Sequence, residues 1–230
     1  QAYLAYFQSY TNTYDSLEKL ESIYGEAIRH PAIKGIVVGT RPDCVDERIL
    51  SYFADLSRER YVMIEYGIES TNDATLERIN RGHDYQCAVD AINLTASMGI
   101  PVGAHMILGL PGEDREMILG HADRLNQLPL DALKLHQLQL VRGTLMAREA
   151  REYPERFSFF KAEEYIDLII DFVERLKPEI AIERFVSQSP GNLLISPDWG
   201  LKNFEFVARL EKRMEERDTW QGKSIREADL

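Results

Sequence analysis

Glu65 and Glu69 stand four apart in Glu65-Tyr-Gly-Ile-Glu-Ser70. In an extended strand side chains alternate between faces, so residues four apart share one. Two carboxylates on one face can divide acid and base work, or can both accept hydrogen bonds from the hydroxyls of a ligand. His105 lies in Gly103-Ala-His-Met-Ile-Leu-Gly-Leu-Pro-Gly-Glu113, an apolar run that enters a Gly-Pro-Gly turn. A histidine there is either a satisfied core residue or a polar group facing a site. Gly109 and Gly112 relax the backbone and would let a flat ligand lie against the main chain. Pro111 stiffens the turn. Glu113 and Asp114 then open a helix, where negative charge complements the dipole.

Other polar residues gather in four short stretches: Gln8-Ser-Tyr-Thr-Asn-Thr13, Thr40-Arg-Pro-Asp43, Arg81-Gly-His-Asp84 and Gln139-Leu-Val-Arg-Gly-Thr144. Several have bland readings. Ser9, Thr11 and Thr13 suit a helix entry, Arg41 and Asp43 a local turn pair, and His83 a loop after a helix. As a set, these hydroxyls, amides, carboxylates and an arginine are too varied for a metal cage. They suit a polar small molecule carrying a ribose, an amine and a carboxylate.

The elements that must position these residues alternate. Ala2–Gln8, Gly35–Gly39, Tyr61–Gly67, Ile100–Leu108 and Leu133–Val141 read as strands. Between them, Leu17, Leu20, Tyr24 and Ile28, then Ile49, Leu50, Phe53 and Leu56, recur at helical spacing, as do Ala88, Ala91, Ile92 and Ala96 and then Met117, Ile118, Ala122 and Leu125. A short helix is expected near Ala74–Ile79. Five strand-plus-helix units without an Asn-Gly hairpin signal imply a parallel sheet with helices outside it, curled into a barrel or doubly wound. Every polar stretch but Arg81–Asp84 falls where a strand finishes, at the end that carries the site in such folds. Past residue 150 the pattern changes. Tyr165 to Leu176 and Phe204 to Met214 are helical stripes, Ile180–Val186 reads as a last strand, and Ser187–Gly200 as a loop.

With 230 residues the chain is one large domain, or one with an appendage. Its net charge of −11 disfavours non-specific polyanion binding. No run reaches membrane-span length and no secretory signal is present, so the expectation is a cytoplasmic protein without a membrane partner. The two cysteines, Cys44 and Cys87, form no CxxC-like pair, and no metal ligands are assigned. The start at Gln1, already inside an apolar run, reads as a cut end.

Taken in order, Thr40-Arg-Pro-Asp43, Glu65-Tyr-Gly-Ile-Glu-Ser70, Arg78-Ile-Asn-Arg-Gly-His83, Ile107-Leu-Gly-Leu-Pro-Gly-Glu113 and Gly143-Thr144 resemble the radical S-adenosylmethionine superfamily. The resemblance is greatest to the branch of the oxygen-independent coproporphyrinogen oxidases and the Elongator catalytic subunit. Within it, a bacterial group without an assigned substrate shares Ala5-Tyr-Phe-Gln-Ser-Tyr-Thr-Asn-Thr-Tyr14 and Asp218-Thr-Trp-Gln-Gly222. The resemblance implies an α/β fold: a partial (βα)6 TIM-like barrel missing its first βα unit over 1–150, with a C-terminal helical extension over 151–230. It implies an enzyme that, at full length, reductively cleaves S-adenosylmethionine at a [4Fe–4S] cluster to a 5′-deoxyadenosyl radical acting on an unknown substrate. The cluster ligands would lie outside this chain, the fragment alone would be inactive, and a flavodoxin or ferredoxin would supply the electron.

The resemblance also assigns residues. Gln8 and Ser9 fall where the family places a Gly-Gly-Glu motif that contacts the methionine amine, although neither the glycines nor the acid occur here. Glu69 and Ser70 take the ribose-contacting position, Arg81 that of the basic residue reaching the methionine carboxylate, and His105 that of a polar residue near the ribose. Ile107 would pack on adenine, and the backbone near Val141 would pair with it. The residues themselves leave open a (βα)-barrel lyase or hydrolase using Glu65, Glu69 and His105, or a non-catalytic binding module. A Cys-x3-Cys-x2-Cys within about 30 residues ahead of Gln1, roughly one βα unit, would decide for the first reading. Ala2–Gln8 would then be an open sheet edge through which the fragment forms homo-oligomers.

Overall fold

The computed structural model of the chain describes residues 2–225. Runs of β-branched and aromatic residues build six parallel strands: β1 (Tyr3–Phe7), β2 (Ile33–Thr40), β3 (Tyr61–Glu69), β4 (Val102–Leu108), β5 (Ala132–Gln137) and β7 (Ala181–Arg184), paired in that spatial order. They curve into a half-barrel. Helices α1 (Leu17–Ile28), α2 (Glu47–Ser57), α3 (Asp73–Arg78), α4 (Tyr85–Ser97) and α5 (Arg115–Leu125) return the chain between successive strands. Local chemistry starts most of them. Asp46, Asn72, Asp84 and Asp114 each accept a backbone N–H of the first turn of the helix they precede.

Alternation along the strands separates two faces. Ile36, Val38, Ile64, Tyr66, Val102, Met106, Leu133 and Leu135 turn outward and pack under the helices in the main core. Val37, Met63 and Ala132 turn inward and form a small separate apolar cluster. The concave face therefore has little apolar filling, and the residues above that cluster are polar.

Two expectations need correction. The strand expected over Leu133–Val141 stops at Gln137. A separate two-residue strand, β6 (Leu140–Val141), leaves the sheet and pairs antiparallel with β8 (Leu194–Ser196), inside the segment expected to be a loop. The break has a cause: Gln137 exchanges hydrogen bonds with the backbone of Ser187, and Gln139 bonds Ser187 and Ser189, so both glutamines are drawn toward the chain leaving β7. Helix α6 (Leu145–Glu152) follows, capped by Thr144.

The 151–230 segment supplies β7 to the sheet and two helices, α7 (Ala162–Glu174) and α8 (Asn203–Glu216). Helix α7 buries Tyr165, Leu168, Ile169, Phe172 and Val173 and packs on α5. Helix α8 lies on α7 through Phe206, which is buried against Trp199 (5.7 Å, stacked) and Tyr165 (5.9 Å). Beside this seam Arg209, Arg213 and Arg217 meet Glu163, Asp167, Asp171 and Glu174. These pairs lie half-exposed at the surface and are individually modest, so the fully buried aromatic contact carries most of the docking energy. Phe206→Ala is expected to lower unfolding stability by about 3–5 kcal/mol, the usual cost of emptying a buried aromatic site. Urea denaturation followed by far-UV circular dichroism measures it, and a loss below about 1 kcal/mol would mean that the seam is held otherwise.

Candidate functional site

At the C-terminal ends of β1 to β4 the concave face opens into a cavity of about 430 Å³. Gln8, Thr11, Thr40, Arg41, Glu69, Arg81 and His105 reach it, with Glu65 at its floor. Asn12 fixes the first rim loop by donating to the carbonyls of Phe7 (3.1 Å) and Gly39 (2.7 Å), which ties the ends of β1 and β2 together. Thr13 is buried and bonds Thr40 (2.6 Å) and the Cys44 carbonyl (2.5 Å), so it serves the loop rather than a ligand. Arg41 is held by Asp43 through two hydrogen bonds of 2.8 and 2.6 Å, the expected turn pair, and still lines the cavity.

The end of β3 is distorted. Pairing with β4 shifts register between Gly67 and Glu69, and Glu69 takes a left-handed backbone (φ 69°). A non-glycine residue in that region is strained, and such strain gathers at functional sites. The distortion breaks the alternation that put Glu65 and Glu69 on one face. Both nevertheless line the cavity, one at the floor and one at the rim. Arg81 donates through Nη2 to the Gly67 carbonyl (2.5 Å) and stands 3.6 Å from Glu69 Oε1, while its Nε is buried without a partner. A Cβ on residue 67 would fall 2.6 Å from Glu69 Oε1 and 2.8 Å from Arg81 Nη2, so a side chain there would displace the ends of both. Burial raises the Glu69 carboxyl above its usual range and lowers the Arg81 guanidinium below its own. Each is thus short of a close partner, and a ligand offering hydroxyls and a carboxylate would satisfy both.

The floor is the opposite case. Glu65 Oε2 accepts from Tyr6 Oη (2.8 Å), His105 Nε2 (2.8 Å) and Lys134 Nζ (2.7 Å), and Oε1 accepts from Lys134 again (2.6 Å). Lys134 also reaches Glu183 (3.0 Å) and lies 4.4 Å from the centre of the Tyr6 ring. Burial alone would raise Glu65, but hydrogen bonds from His105, Lys134 and Tyr6 override it and hold the carboxyl at about 2. A carboxylate so saturated is a poor proton acceptor near neutrality, which weighs against a lyase or hydrolase using Glu65 as its base.

The residues named from sequence are divided by the structure. Gln8, Glu69, Arg81 and His105 line one cavity. Ser9 lies in the exposed rim loop and does not line it. Ser70 is fully buried behind the rim, donating to Glu113 (2.5 Å). Ile107 is half-buried two residues beyond His105 on the same face of β4 but does not line the cavity. Val141 lies in β6, its carbonyl accepting from Thr144 N and Oγ1. Gly109 meets a side chain rather than open space: a Cβ there would lie 3.0 Å from the Phe160 ring. Lys134 was not anticipated, and Tyr6, Asn12 and Gly67 entered only as members of their motifs. For Lys134 a signal existed in Ala132-Leu-Lys-Leu-His-Gln137, where period-two spacing puts Ala132, Lys134 and His136 on one face.

A second depression, about 500 Å³, lies beside Gly112 and is lined in part by Arg78 and Arg156, both of which are paired with Glu149. Among the described residues no group of three histidine, cysteine, aspartate or glutamate side chains is placed to hold a metal ion. Cys44 and Cys87 are free, half-buried thiols whose pKa values burial pushes up. No helix among the described residues is long and apolar enough to cross a membrane.

With that geometry in hand, the chain was compared with known proteins. The radical SAM superfamily model matches residues 5–125, and the radical SAM C-terminal domain matches 130–216. This chain belongs to the radical SAM superfamily. Its members use S-adenosylmethionine and a [4Fe–4S] cluster and are generally enzymes. The chain is 33% identical to the uncharacterised protein YtqA of Bacillus subtilis over 221 residues, covering 96% of this chain and 68% of YtqA. It is likewise 33% identical to YhcC of Escherichia coli, covering 93% of this chain and 69% of YhcC. Among solved structures, the N-terminally deleted Elp3 of Methanocaldococcus infernus superposes with a TM-score of 0.72 at 20% identity. That match covers 90% of this chain but only 47% of the Elp3 chain. The six-stranded half-barrel is the fold expected of the family.

The buried Glu65 cluster has a pH signature. Its carboxyl is lower in the folded protein than the ordinary 4.5, so its stabilisation is complete above that value and is lost as pH falls toward about 2. Glu65→Gln is expected to be less stable than the parent at pH 6, with the gap closing between pH 4.5 and 2. Urea midpoints measured across that range check this, and a gap independent of pH would contradict it.

Proposed function

We propose that the cavity above Glu65 is the S-adenosylmethionine seat of a radical SAM enzyme. The observation that carries the reading is the under-satisfied pair at the rim, Glu69 in its left-handed conformation and Arg81 with a buried, unpartnered Nε, held apart around Gly67. Their chemistry fits the two ends of the molecule. Arg81 offers donors for the methionyl carboxylate, and Glu69 accepts from the ribose hydroxyls. Gln8 on the facing rim reaches the amine, and His105, oriented by its bond to Glu65, stands beside the ribose. A volume of about 430 Å³ lies within the range of small-molecule sites.

When bound beside a [4Fe–4S] cluster, S-adenosylmethionine would supply hydrogen-abstracting 5′-deoxyadenosyl chemistry; this reading assigns no cluster ligand to the described residues. The residues of this chain bind, orient and shield. Reduction by a flavodoxin or ferredoxin, a cytoplasmic location and self-association through the β1 edge, where Tyr3 and Leu4 are about half exposed, are parts of the same proposal.

Equilibrium dialysis against labelled S-adenosylmethionine tests the seat directly. Glu69→Gln and Arg81→Gln are each expected to weaken binding about tenfold, the loss of one charge-assisted contact. Parental affinity in both variants would remove the assignment. The corresponding full-length protein, reconstituted anaerobically, is expected to form 5′-deoxyadenosine, and the same two substitutions to slow it. Gly67→Ala is expected to weaken binding as well, because the added methyl displaces the ends of both side chains.

A further inference from the structure

The cavity residues account for only the β1–β4 side of the concave wall. Beyond His105 the wall continues through β5 and β7, and there one group is buried without purpose. His136 follows Lys134 by two residues on the same face of β5, its ring stacked on that of His105 (centroids 5.8 Å, planes 26° apart). Its Nε2 is buried and has no hydrogen-bond partner. Buried polar atoms are nearly always paired, so an orphan on the inner wall of a binding fold marks a place for a partner.

The groups facing His136 indicate what that partner is. They are His105 from β4, Lys134 from its own strand, Arg184 from β7 and Glu65 from β3. Burial first, then the positive charges of His105, Arg184 and Lys134, hold the imidazole down at about 4, and it is neutral at pH 7. The carboxylates of this wall are already engaged, since Glu65 and Glu183 both bind Lys134. Arg184, half-buried, is the backbone partner of Lys134 across a register shift in the β5–β7 ladder, and no ion pair or hydrogen bond holds its guanidinium among the described residues. A half-buried guanidinium whose charge is felt at an orphaned imidazole nitrogen makes with it a recognition pair for an anion.

We propose that the substrate of this protein carries an anionic group, a carboxylate or a phosphate, that docks between Arg184 and His136 on the β5–β7 side of the concave wall. This rests on the cofactor reading only in placing the adenosyl moiety on the β1–β4 side. The anion bridges the guanidinium and the imidazole, and the reacting part of the substrate extends from there toward the cavity past His105. The site also selects: a cationic group meets Arg184 and Lys134, and an apolar one leaves Nε2 unpaired.

The test reads His136 itself. The chain is labelled at histidine and its imidazole resonances are followed by NMR while inorganic phosphate or, separately, difluoroacetate is added, both of which stay anionic through the titration, with chloride holding ionic strength constant. A bound anion favours the protonated ring, so the His136 midpoint is expected to rise from about 4 by roughly one unit at saturation, which corresponds to tenfold tighter binding to the protonated form. Saturation by only one of the two anions identifies the group. Arg184→Gln is expected to weaken binding at least tenfold and to abolish the rise. His136 resonances that neither anion moves, or a rise that survives Arg184→Gln, would overturn the proposal. S-adenosylmethionine affinity in His136→Gln is expected to stay within twofold of the parent. Failure of the cofactor seat is read in the Glu69 and Arg81 variants, and failure of the anion site in the His136 resonances, so the two are told apart.

Discussion

A carboxylate placed on the inner wall of an open half-barrel must be matched donor for donor, and the protein matches Glu65 from three other strands. Tyr6 comes from β1, His105 from β4 and Lys134 from β5. One buried charge therefore ties the whole curvature of the sheet together from within, where the apolar cluster of Val37, Met63 and Ala132 is too small to do so. Removing one partner would leave an uncompensated charge, which costs far more than the pair itself contributes. The network also sets the direction in which His105 points and the electrostatic surroundings of His136. Its function is to give the cavity a rigid floor.

The rim obeys a different rule. Where the floor is saturated, Glu69 and Arg81 are held near each other without close pairing, and Glu69 carries backbone strain. This is the arrangement expected where binding energy is to be realised on ligand arrival rather than stored in the free fold. Gly67 permits it by its missing side chain. The saturated floor and the under-satisfied rim thus sit in adjacent layers of one wall.

Much of this was readable in the sequence, and the limits have physical causes. The long βα units were legible because their apolar positions recur at 3.6 or 2 and because Asp46, Asn72, Asp84 and Asp114 announce helix starts. Strands β6 and β8 were not, since pieces of two and three residues have no period and exist only by pairing across more than fifty positions. Gln8, Glu69, Arg81 and His105, singled out by the order of motifs, line one cavity, while the Ser70 hydroxyl turns inward to Glu113, a direction that no local pattern encodes. Lys134 escaped notice because a lysine between leucines looks like the wet side of a half-exposed strand. Only curvature, which no local pattern encodes, makes that side an interior.

The charged ladder between α7 and α8 repeats about every four residues on both helices, with Arg209, Arg213 and Arg217 opposite Glu163, Asp167, Asp171 and Glu174. A slide of α8 by one helical turn would offer each guanidinium an equivalent carboxylate, so the ladder is degenerate along its axis. Phe206 breaks that degeneracy, because the ring has one slot, between Trp199 and Tyr165. Charge draws the last helix onto its neighbour, and a single aromatic decides where along it the helix comes to rest.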